Sequence, residues 1–139
     1  MFQHFLDAAK KEGITEYFIK LIIEKNDQIL LLESGEINRF YDFPFGKIKE
    51  KESMSSAIQR VSIETISLKI KNISRFLTFR DDESKGRYFY FIVEVFDPED
   101  IFLRDHHSYG WANPKDVFGY PIKEDLREIL DLYIKIKPL

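Results

Sequence analysis

The stretch Gly46 to Leu68, GKIKEKESMSSAIQRVSIETISL, decides the fold. A Pro-Phe-Gly turn (Pro44, Phe45, Gly46) leads out of an apolar, strand-like run. A charged loop follows, and then a segment with apolar residues at helical spacing. Ser53, Ser55 and Ser56 supply helix-start chemistry. On that helix Arg60 and Glu64 stand one turn apart, close enough for a surface ion pair. A strand, a glycine turn and a helix with carboxylates on its outer face also make a place where a metal-bound phosphate can sit.

Upstream, Tyr17 to Glu24 (YFIKLIIE) is β-branched and aromatic, Asn26-Asp27 supplies a turn, and Ile29 to Leu32 resumes the apolar run. That is a hairpin or a pair of adjacent strands. Before it, Phe2, Phe5, Leu6 and Ala9 recur at helical spacing and Gly13 sits where a helix end favours a left-handed residue, so residues 1–13 read as an N-terminal helix. Downstream, Ile70 to Phe79 and Tyr88 to Phe96 flank the polar loop Asp81–Arg87, the clearest hairpin signal in the chain, and Pro98 ends the second strand. Pro121 with Glu124 and Asp125 opens a C-terminal helix over residues 121–137, whose stripe is Leu126, Ile129, Leu130, Tyr133 and Ile134.

The 139 residues suit one domain, and thirteen Phe and seven Tyr give it a substantial core. A net charge of −3 with dispersed cations leaves no basic stripe for nucleic acid. Without cysteine there is no disulfide framework, thiolate metal site or thiol nucleophile. No apolar run is long enough to span a bilayer, and the expected location is cytoplasmic. No Gly-x-Ser-x-Gly elbow or Walker loop points to another enzyme class.

The stretch 46–68 resembles the Nudix box: Gly, five residues, Glu, seven residues, Arg-Glu, aliphatic, any, Glu-Glu, any, Gly, aliphatic. Gly46, Glu52, Arg60, Glu64 and Leu68 match in type and spacing. The resemblance implies an α+β chain, a Nudix-like α/β/α sandwich with a mixed β-sheet between helices. It also implies metal-dependent cleavage of a nucleoside diphosphate linked to another group, with Mg²⁺ or Mn²⁺. Three glutamates at i, i+3 and i+4 supply most of the family's metal cluster. Here those positions hold Val61, Glu64 and Thr65, so one carboxylate survives. Ser62 and Ser67 replace the aliphatic residue and the glycine. The expected activity is therefore a weak hydrolase, the alternative being an inactive domain that binds a nucleotide or a protein partner.

Within that resemblance Glu64 is the expected metal ligand, with Arg60 and Glu52 as the orienting pair. Gly46 and Arg39 are the expected substrate contacts. Phe40, Tyr41, Phe43 and Phe45 either stack a nucleobase or pack in the core. The segment Asp105 to Val117, DHHSYGWANPKDV, is similar to the family's Glu-His, four residues, Trp pattern, which makes Asp105 an auxiliary metal ligand or a loop cap. His106 and His107 read as loop histidines. The expected partner is a small nucleotide or nucleotide derivative, and a homodimer is possible.

Overall fold

The computed structural model describes residues 1–34, 40–104 and 108–137. Among the described residues seven strands form one sheet between two helical layers. The strands are β1 (Glu16–Lys25), β2 (Gln28–Ser34), β3 (Phe40–Asp42), β4 (Phe45–Lys47), β5 (Ile70–Asp81), β6 (Gly86–Val95) and β7 (Ser108–Ala112). The main path runs β3-β2-β1-β6-β5, with β4 on β1 and β7 on β2. The sheet is mixed: β1 runs parallel to β6, from Glu16↔Gly86 to Ile23↔Val93, and antiparallel to β2 and β4.

The two hairpins expected from turn chemistry are present. Asn26 and Asp27 both take positive φ (48° and 65°), as a two-residue hairpin turn requires, and join β1 to β2. Asp82 Oδ1 accepts from the N–H of Ser84 and of Gly86, and closes the loop between β5 and β6. β1 and β2 pair only through Glu24↔Ile29 and Lys25↔Gln28. Beyond that they diverge, and β4 inserts against the first half of β1.

Alternation along the central strands sends side chains to two cores. Ile19, Leu21, Ile23, Phe89, Phe91 and Val93 pack under α1 (Gln3–Lys11) and α2 (Met54–Ile66). Ile22, Tyr90 and Ile92 pack under α3 (Glu124–Ile136) and the 3₁₀ turn Pro114–Gly119. The α/β/α sandwich is thus the architecture of the chain. No helix among the described residues is long and apolar enough to cross a membrane.

Helix ends differ from the sequence reading in one place. α1 closes as expected, with Gly13 at φ 83° and the Ile14 and Gly13 N–H groups donating to Ala9 and Lys10 carbonyls. α3 starts at Glu124, not at Pro121, because the Pro121 carbonyl accepts from Tyr41 N–H and holds the chain extended there. The acids of its first turn still face the positive end of the helix.

Candidate active site between helices α1 and α2

β4 carries Gly46 to the sheet position opposite Ile19. A Cβ on Gly46 would stand 2.9 Å from Val61 Cγ2, so only glycine lets α2 lie this close. The chain then turns through Lys49–Glu52, where Lys51 takes φ 64° and the Glu52 N–H donates to the Lys49 carbonyl. Ser53 caps α2 by accepting from Ser56 N–H at 3.2 Å. The Met54 N–H donates to Gln3 Oε1 of α1 at 2.9 Å, so a second helix also satisfies this terminus.

Arg60 is the hub. Its Nε and Nη2 donate to the Glu52 carboxylate at 2.7 and 2.9 Å, its Nη2 to the Lys47 carbonyl at 2.5 Å, and its Nη1 to Glu64 Oε1 at 2.9 Å. Glu52 in turn accepts from Lys49 N–H at 2.9 Å, so one carboxylate ties loop and helix together. The Arg60 guanidinium holds the Glu52 carboxyl below the usual value, against a smaller opposing effect of burial. Glu64 is shifted the same way, first by its bond to Arg60 and further by the charges of Lys49 and Arg104. Arg60 itself is pushed up, chiefly by Glu52.

The two other positions at which the resemblance leads one to expect acids are structural. Val61 is 1% exposed and belongs to the core. The Thr65 hydroxyl donates to the Val61 carbonyl at 2.6 Å, back along its own helix. The buried Ser62 hydroxyl donates to the Leu68 carbonyl at 2.7 Å, and Ser67, at φ 65°, fills the left-handed end of the helix.

A cleft of about 750 Å³ opens between α1, the start of β1, the 46–52 loop and α2. Gly46, Glu52, Arg60 and Glu64 are brought together there. Arg39, Asp105, His106 and His107 lie outside the described residues. Phe43 is buried in the core beneath α3, whereas Phe45 is half exposed on the opposite face of the sheet from Gly46. Tyr41 packs against Tyr120.

Magnesium and manganese take carboxylates, waters and phosphate oxygens in octahedral array. Among the described residues no three of His, Asp or Glu converge on one point. On the outer face of α2 only Glu64 offers a carboxylate, and Arg60 already holds it. The described donor set does not make a metal cage.

Two features escaped the sequence reading. Lys10 and Lys49 border the cleft with Lys47 and Lys51. The alternation Lys47, Lys49, Lys51 was the available signal, but it is equally that of a solvated loop. Second, Lys20 is 7% exposed in the middle of β1, bonded to Asp42 at 2.8 Å and within 6.0 Å of the Phe45, Tyr88 and Tyr90 rings.

No family model matches the chain, and no curated protein matches it. Solved structures do. The MutT structure from a study of Aliivibrio salmonicida and Vibrio cholerae superposes with a TM-score of 0.75 at 20% identity, covering 86% of this chain and 97% of that one. A Nudix hydrolase from Nitrosomonas europaea gives 0.70 at 17%, covering 86% and 88%. A Caenorhabditis elegans Ap4A hydrolase gives 0.69 at 17%, covering 85% and 96%. The mixed sheet between helical layers is thus a known architecture: this chain has the Nudix fold.

Proposed function

We propose that this chain is a Nudix-like hydrolase that takes a nucleoside diphosphate linked to another group into the cleft between α1 and α2 and cleaves it slowly. The observation that carries the proposal is the Arg60 hub, which holds loop and helix in a fixed relation and sets Glu64 at the cleft wall. The low rate follows from the chemistry lost at Val61 and Thr65. One missing general base alone lowers a rate by about 10²- to 10⁴-fold. Glu64 is the anionic oxygen left to meet a Mg²⁺ or Mn²⁺ ion that arrives with the substrate's own phosphates, and Asp105 is the further ligand of this reading.

A second reading, ligand binding without turnover, is favoured by the burial of Val61, which commits that helix face to packing. One experiment separates them. A library of diphosphate-linked nucleosides is incubated with Mg²⁺ or Mn²⁺, and phosphate-containing products are measured beside ligand-induced thermal stabilisation. Product release abolished by Glu64→Gln supports the hydrolase. Stabilisation without release, indifferent to that substitution, supports the binding domain. Neither response removes both.

A further inference from the structure

Cations crowd the cleft: Lys10 from the last turn of α1, Lys47, Lys49 and Lys51 from the 46–52 loop, and Arg60 from α2. Their pairing is uneven. Arg60 engages both Glu52 and Glu64, and Lys47 engages Glu16 at 3.1 Å. Among the described residues Lys10, Lys49 and Lys51 make no ion pair, and Glu50 is the one remaining carboxylate on the wall. Five cations against four carboxylates leave the lining of the cleft with an excess of one positive charge, and the lysines that make no ion pair sit on α1 and on the loop. Lys49 lies near enough to Glu52 and Glu64 that its charge helps to lower both carboxyls.

A diphosphate needs its charge balanced on binding. Either a divalent cation or several ammonium groups can do this, and lysine presents three donors on a flexible stem. The carboxylates that would hold a cation have largely gone from α2, while unpaired lysines border the same space from two elements. Building on the reading that this cleft takes a diphosphate compound, we infer that Lys10 and Lys49 neutralise the phosphates directly, so that the ligand binds without a divalent cation. Lys10 also suits the negative end of α1, and Lys49 a solvated loop. Neither of those roles gives it any effect on phosphate affinity.

The test is calorimetric titration of the full chain with inorganic pyrophosphate and with ADP, in excess EDTA and in excess Mg²⁺. Both probes are expected to bind in EDTA at least as tightly as in Mg²⁺, with affinity falling as salt rises. Lys10→Glu with Lys49→Glu is expected to weaken binding by about tenfold or more. Lys71→Glu, at the far end of the sheet, leaves it unchanged. Lys10→Gln with Lys49→Gln serves if the reversed charges disturb folding, which circular dichroism checks. Binding in Mg²⁺ alone, or full affinity in both double variants, overturns the inference and leaves the proposed function standing. Absence of binding in every buffer overturns the inference as well, and the library experiment then decides the proposed function.

Discussion

Glu52 and Arg60 meet through two parallel hydrogen bonds, Nε to Oε2 at 2.7 Å and Nη2 to Oε1 at 2.9 Å, with both side chains largely shielded. Such a two-point contact fixes orientation as well as distance. The same carboxylate caps the turn at Lys49. Removing it frees both the loop and the guanidinium. Glu52→Ala is expected to cost about 1–2 kcal/mol, and Arg60→Ala a similar amount. Urea denaturation of the single and double variants should show a coupling near 1 kcal/mol.

The acid dependence of stability follows from the same pair. The Glu52 carboxyl is lowered in the folded state from an ordinary value of 4.5. Its stabilising contribution is therefore complete above that value and disappears as pH falls below it, through the folded-state titration. Unfolding measured from neutral pH downward should steepen below about pH 4.5 in the native chain. It should steepen less in Glu52→Gln.

Gly46 and Val61 form a second testable pair. Gly46→Ala places a methyl within 2.9 Å of Val61 Cγ2 and must shift the helix or the valine. A loss of about 1–3 kcal/mol is expected. Gly46→Ala with Val61→Ala should be more stable than the sum of the two single changes predicts, because each relieves the fault of the other. Additive losses would mean that the contact is not what demands glycine.

Thr65 is partly exposed, and its hydroxyl donates to the Val61 carbonyl at 2.6 Å and, more weakly, to the Ser62 carbonyl at 3.5 Å, both within its own helix. Thr65→Glu puts a second carboxylate beside Glu64 without entering the core. Manganese affinity, read by isothermal titration, should rise by about tenfold, and any hydrolysis should rise with it. Val61→Glu is expected to do the opposite: it buries a charge in the core and lowers stability by several kcal/mol, of the order that an unpaired buried ion costs.

Lys20→Met tests the buried ammonium. Among the described residues it leaves the Asp42 carboxylate with the Phe43 N–H alone, a bond of 2.7 Å. A destabilisation of about 1–3 kcal/mol is expected in thermal unfolding, and Lys20→Met with Asp42→Asn should recover part of it.

How much of this was written in the letters depends on the range of the interaction. Turns announce themselves locally, so Asn26-Asp27, Gly13 and the Asp81–Arg87 loop could be read directly. The spacing of Gly46, Glu52 and Arg60 also survived, because one helix and one loop carry it. The parallel pairing of β1 with β6 was not legible, since an all-apolar strand does not name its neighbour. Nor was the burial of Lys20: it sits among apolar residues in YFIKLIIE, and only Asp42, 22 positions away, explains how its charge is tolerated. The identity of Val61 as a packing residue needed the sheet, because at the level of sequence it reads only as a missing acid.

The nine-residue helix α1 is fastened near both ends. At its start Gln3 accepts from the first amide of α2. Just past its end Glu12 meets Arg87, a 4%-exposed guanidinium that also grips Asp81 across the β5–β6 hairpin. α1 acts as a brace between the first turn of α2 and the base of the β5–β6 hairpin. Breathing motions in those parts should be correlated: amide exchange in the first turn of α2 and at the hairpin base is expected to accelerate together when Arg87→Met loosens one fastening. A substitution outside the lining of the cleft would in this way be felt at its mouth.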